Sequence, residues 1–163
     1  MTEPASPVAE QWTIRRAEPR DHESVARELA AYLAYIGAEL DPQRLDRDIA
    51  AWQEEYDGVS GVLLVVQDAR PNIVGTAGVR LLEPGLAELK RMWIRPVCQG
   101  RGLGRRLMDR CLEEARALGA RRIRLDTQQR MAAAIRLYRS YGFADIPDYN
   151  GNPRAEIWME ATI

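Results

Sequence analysis

Residues 88–117 read ELKRMWIRPVCQGRGLGRRLMDRCLEEARA. An apolar-rich strand comes first, Leu89 to Ile94. Pro96 ends it, because proline lacks the N–H that a ladder needs. Gly100, Gly102 and Gly104 follow at alternate positions, and a long helix starts directly after them. Leu103, Leu107, Cys111, Ala115 and Leu118 recur along it at helical spacing. Strand, glycine turn and helix together form a phosphate cradle. Glycine admits positive φ and close approach of a ligand. The first helical turn carries unpaired N–H groups, and its dipole favours negative charge. Arg101, Arg105 and Arg106 add fork-shaped cationic donors around the same point. A tight turn with a solvated basic face would use the same residues, so the local pattern leaves both open.

Around this stretch the chain has the size of one domain, 163 residues, with 46% apolar residues to fill a core. We expect residues 1–11, with Pro4, Ser6 and Pro7, to be a loose tail and residues 12–163 to be a single domain. Lysine and arginine total 23 against 24 acidic residues, which points to neither nucleic acid nor an anionic membrane. Arginine is locally dense between Arg95 and Arg124, and a basic patch on a near-neutral chain suits a small anionic ligand. Cys98 and Cys111 are too few for a disulfide framework. With no leader pattern and no apolar run near a membrane span, a reducing cytoplasm is the expected location, and no metal is expected.

In order, Trp12 to Ala17 reads as a short strand. A helix capped by Asp21 carries Val25, Leu29, Leu33 and Ile36 inward and stops at Gly37. A second helix is predicted from Asp41 and Pro42 to Asp57-Gly58, with Leu45, Ile49 and Trp52 on its apolar face. Val62–Gln67, Ile73–Leu82 and Leu86–Ile94 make an antiparallel meander. After the long helix stops at Gly119, Arg122–Thr127 is a strand that should run parallel to Leu86–Ile94. A helix over residues 131–141, a short strand near Ala144–Ile146 and a last strand Glu156–Thr162 complete the chain. The fold class is therefore α/β, or α+β with a mixed sheet, with helices on both faces.

Gln99-x-x-Gly102-x-Gly104 resembles the acyl-CoA signature Q/R-x-x-G-x-G/A of the GCN5-related N-acetyltransferases. It is neither the dinucleotide fingerprint nor a nucleotide P-loop. Arg122–Thr127 and Ala134-Ile-Arg-Leu-Tyr-Arg-Ser-Tyr-Gly-Phe143, similar to the family's A-x-x-L-Y-x-x-x-G-F ending, carry the resemblance further. It spans Thr13 to Glu160. One departure is Met131, where many members have asparagine.

The resemblance implies acetyl transfer from acetyl-CoA to a primary amine by direct attack in a ternary complex. It implies a pyrophosphate site on Gln99, Gly100, Arg101, Gly102, Leu103, Gly104 and Arg105, and a pantetheine arm along Met92, Trp93 and Ile94. Tyr138 matches the family's tyrosine and would be the general acid. Glu88 would be the base, and strand parity would put it on the same face as Lys90 and Met92 unless a bulge intervenes. Each also has a structural reading, Tyr138 as a core tyrosine and Glu88 as a solvated carboxylate. Tyr32, Tyr35, Trp52 and Tyr56 lie in the region that borders the acceptor in this family, although packing alone would explain them. Arg80 and Arg91 are candidates to meet an acceptor carboxylate. The expected acceptor is a small molecule; a protein or peptide amine, or a non-catalytic acyl-CoA sensor, is the alternative. Family habit leaves a homodimer open.

Overall fold

The computed structural model describes residues 11–163. The expected tail lies outside them except for Gln11. Seven strands form one sheet in the order β1-β2-β3-β4-β5-β7-β6. They are β1 Thr13–Arg16, β2 Gly61–Gln67, β3 Ile73–Glu83, β4 Leu86–Ile94, β5 Arg122–Thr127, β6 Ala144–Ile146 and β7 Ile157–Thr162. The helices are α1 His22–Tyr35, α2 Arg47–Ala50, α3 Trp52–Glu55, α4 Leu103–Ala117 and α5 Ala132–Ser140. All adjacent strands are antiparallel except β4 and β5, which are parallel across the α4 crossover. None of the described helices is long and apolar enough to cross a membrane.

The sheet has a core on each face. Leu103, Leu107, Cys111 and Ala115 of α4 pack with Tyr138 and Phe143 on alternate sheet positions, including Leu64, Val79, Leu89, Ile123 and Met159. On the other face Val25 and Leu29 of α1, with Trp52 and Tyr56, cover Leu63, Val65 and Ile73. β2 is buried on both sides, which is why it reads as a continuous apolar run rather than an alternation.

Two expectations fail here. The long second helix is absent: residues 42–46 are turns, and Ala51 breaks what remains into α2 and α3. Asp41 caps nothing. Its own N–H donates to Asp46 Oδ2 at 2.7 Å, and Asp46 is drawn into the buried ion cluster described below. Asp21 does not cap α1 either. It accepts Arg15 Nη1 at 2.7 Å and the Glu18 N–H at 2.8 Å.

Candidate active site

β4 and β5 are in register only over Leu86↔Arg122, Ala87↔Ile123 and Glu88↔Arg124. Beyond that point β5 stays with β7 and β4 stays with β3, so the two strands part. Leu89 to Ile94 is left with a ladder on one side only and lines a cleft of about 1560 Å³. Such an edge offers main-chain groups to an extended ligand.

At one end of the cleft lies the glycine turn. Gly100 and Gly102 both have φ 77, the left-handed region that glycine enters without steric cost. Gly102 directly precedes α4. The N–H groups of Gly102, Leu103, Gly104 and Arg105 have no partner among the described residues, and the first intrahelical bond is from Arg106 N–H to Gly102 O. Those orphan donors at a helix start fit a pyrophosphate. The Gln99 side chain is committed to the turn itself, its amide donating to Ile94 O at 2.9 Å. Arg105 lies over the Tyr141 ring, 5.6 Å from its centroid, and donates to Ser140 Oγ. Gly104 sits against Leu137 of α5, where a Cβ would be 3.4 Å from Leu137 Cδ2.

At the other end the walls are polar. A β-bulge interrupts β4: Trp93 pairs with Thr76 and Lys90 with Gly78, so Arg91 and Met92 together oppose one residue of β3. Arg91 takes φ 56, a costly conformation outside glycine. The bulge overturns the simple parity. Glu88, Lys90 and Arg91 face the α1–α3 side, whereas Met92 packs on the α4 core. Glu88 and Met92 are therefore on opposite faces.

Arg91 does not greet a ligand. It is buried, with Nε and Nη2 on Asp48 at 2.9 and 2.6 Å and Nη2 3.1 Å from Asp46. Burial alone would raise the Asp48 carboxyl, but Arg91 outweighs it and holds the group below its ordinary value. Tyr56 completes the cluster, its hydroxyl donating to Asp48 at 2.7 Å. Gly78 makes room for that: a Cβ there would be 2.5 Å from Tyr56 Oη. Arg80 is likewise engaged, by Glu88 Oε1 at 3.0 Å.

Glu88 is only 2% exposed. Arg80 occupies Oε1, and the Tyr149 hydroxyl donates to Oε2 at 2.7 Å. Tyr149 belongs to the segment 147–156 between β6 and β7. This segment crosses the polar end of the cleft as a strap. Its Arg154 grips Asp46 at 2.9 Å and donates to Glu39 O, and its Asn150 and Asn152 donate to Asp126 Oδ2. Burial first, and then the Glu88 charge, push the Tyr149 phenol well up, so it keeps its proton.

Tyr138 lines the cleft from α5 beside Phe143. Its hydroxyl has no partner among the described residues, and burial raises its pKa. Tyr32 and Tyr35 of α1 also line the cleft, against Trp93, while Trp52 and Tyr56 are buried in the second core. Met131 lines the cleft just before α5 and provides no cap. His22 stacks on Trp52 and is not part of the cleft.

Sequence reasoning did not single out Tyr149, Asp126, Asn150 or Asp46. Their partners are far away in the chain, and the one local cue is the short polar composition of Pro147 to Arg154, which suggests a loop bordering the acceptor cleft over a small ligand.

The protein-family model described as the acetyltransferase (GNAT) family matches residues 14–143. An uncharacterized N-acetyltransferase of Schizosaccharomyces pombe is 31% identical over 136 residues, 83% of each chain. Another, from Escherichia coli, is 30% identical over 151 residues, 90% of this chain and 86% of its own. Among solved structures, a GNAT-family acetyltransferase from Staphylococcus aureus superposes with a TM-score of 0.82 at 17% identity, covering 93% of this chain and 99% of the other. The fold, the glycine turn at the parting of β4 and β5, and a family match over most of the length agree: the chain belongs to the acetyltransferase (GNAT) family and is an acetyl-CoA-dependent N-acetyltransferase.

Proposed function

We propose that this enzyme acetylates the primary amine of a small molecule by direct attack within a ternary complex. The observation that carries the small-molecule reading is the strap. Residues 147–156 are tied by Arg154 to Asp46 and by Tyr149 to Glu88, so they close the acceptor end over a limited space. A protein terminus would need an open groove there.

The donor contributes an acyl thioester. The acceptor nitrogen bonds to its carbonyl carbon, the carbon–sulfur bond breaks, and the sulfur takes a proton. The N–H groups from Gly102 to Arg105 would hold the pyrophosphate, with Gln99, Gly100 and Arg101 shaping the turn. The edge Met92–Trp93–Ile94 would bond the pantetheine arm, the Met92 N–H meeting the carbonyl oxygen. Tyr138 is the proton donor to sulfur: its hydroxyl is uncommitted and its raised pKa keeps it protonated at neutral pH. Glu88 is too enclosed to touch the amine. It acts through Tyr149, which takes a proton from the acceptor nitrogen as it passes its own to Glu88 Oε2.

The test is thiol release from acetyl-CoA with a panel of amino acids, polyamines, aminoglycosides, arylamines and short peptides, comparing wild type with Tyr138→Phe. Release with one small-molecule class, lost in the variant, is the expected outcome. Release with peptides alone would overturn the small-molecule reading. Acetyl-CoA binding without release to any acceptor would favour a sensing role.

A further inference from the structure

The last paired residues of β4 and β5 are Glu88 and Arg124. Two residues further along each strand, on the same face, stand Lys90 and Asp126. Had the ladder continued, they would have been neighbours. Because the strands part, they face the same opening from its two walls, and both line the cleft. No ion pair joins them.

Each is under-used. Lys90 Nζ makes no hydrogen bond among the described residues, although its side chain is only 17% exposed. Its ion contact, Glu88 Oε1, is 3.8 Å away and already takes Nε and Nη2 of Arg80. Asp48, the other carboxylate that feels Lys90, is committed to Arg91 and Tyr56. Lys90 lines the cleft, where a ligand can reach its ammonium. Asp126 is aimed rather than used. Oδ2 accepts the Asn150 and Asn152 amides at 2.6 and 3.2 Å, while Oδ1 has no partner and no described arginine or lysine pairs with it. It lines the same cleft as Tyr32, Tyr138 and Tyr149.

We propose that the acceptor is a zwitterion of the amino-acid type, its ammonium received by Asp126 on β5 and its carboxylate by Lys90 on β4. This rests on the small-molecule reading above and narrows it. A simple amine would satisfy Asp126 and leave Lys90 against an uncharged body. A polyamine would bring a second cation against Lys90. A zwitterion meets both charges with charge-assisted hydrogen bonds.

The experiment uses matched acceptors that differ by the carboxylate: L-leucine and isoamylamine, L-methionine and 3-methylthiopropylamine, L-tyrosine and tyramine, L-lysine and cadaverine, 4-aminobutyrate and n-propylamine. The readout is kcat/KM for thiol release. In the reacting pairs the acid-bearing member should be better by about tenfold to a hundredfold, the worth of one charged hydrogen bond. Lys90→Met should bring that ratio towards one, and Asp126→Asn should depress both members of a pair. Acetyl-CoA affinity and the unfolding midpoint of each variant report whether the donor site and fold are kept. Equal or better turnover of the decarboxylated amines, or an unchanged ratio in Lys90→Met, overturns the zwitterion while leaving small-molecule acetylation standing. No release with any of the ten compounds while an aminoglycoside or arylamine reacts overturns the zwitterion alone, and no release with any of these small molecules, with acetyl-CoA bound, overturns both.

Discussion

The two ends of the cleft are built by different means. The end proposed to hold the donor is made of main chain that is local in sequence: a bare strand edge, two left-handed glycines and the first turn of α4, all within residues 89–105. The end proposed to hold the acceptor is made of side chains that meet from far apart. Arg154 and Asp46 are 108 residues apart, Tyr149 and Glu88 61, and Arg91 and Asp48 43. Backbone chemistry serves a ligand whose phosphates and amides do not vary. Side-chain chemistry can be changed one residue at a time, which suits the proposed role in choosing the amine.

That division can be broken or sharpened at four places. Tyr138 lines the cleft from α5. Tyr138→Phe keeps the packing against Phe143 and removes the proton, so kcat should fall about 10²–10⁴-fold with an unchanged unfolding midpoint. A midpoint that fell together with kcat would make the tyrosine structural.

Arg91→Ala tests whether the acceptor end rests on its ion cluster. It leaves Asp46 and Asp48 buried without their shared cation, at a cost of about 3–5 kcal/mol in urea unfolding. Both carboxyls are held below their ordinary value in the folded chain, despite the opposing effect of burial. Their contribution to stability is therefore complete above the unfolded carboxylate range, about pH 4, and is lost as pH falls below it through the depressed folded values. The variant should lose part of this acid sensitivity.

Gly102→Ala tests the donor end. Forcing an L-residue to φ 77 costs roughly 1–2 kcal/mol, and the displaced N–H groups should weaken acetyl-CoA binding more than acceptor KM. Arg154→Ala is the converse and the mildest. The Arg154 side chain is partly exposed, and Asp46 keeps Arg91, so stability should fall by about 1 kcal/mol or less. Acceptor KM should nevertheless rise while acetyl-CoA affinity holds. If Gly102→Ala and Arg154→Ala affected both ligands alike, the two ends would not be separable.

The mixed sheet, the crossover helix, the meander and the glycine turn were legible in residues 62–127, because strand patterning, helical spacing and turn glycines are local signals. Arg122–Thr127 was read to the residue. The second helix was misread for the complementary reason. Asp41, Pro42 and the apolar spacing do favour a helix locally, but Asp46 and Asp48 are held by Arg91 and Arg154 from elsewhere in the chain, and turns broken at Ala51 allow that.

What the sequence determined by itself, then, is the sheet order around β4 and the cradle at the start of α4, since both depend on backbone geometry encoded within a few residues. Only the tertiary structure decided that β4 bulges at Arg91, that Glu88 is closed off by Arg80 and Tyr149, and that Lys90 and Asp126 line one cleft with no ion pair between them. Those outcomes depend on charges and packing brought together over many tens of residues, and no local pattern announces them.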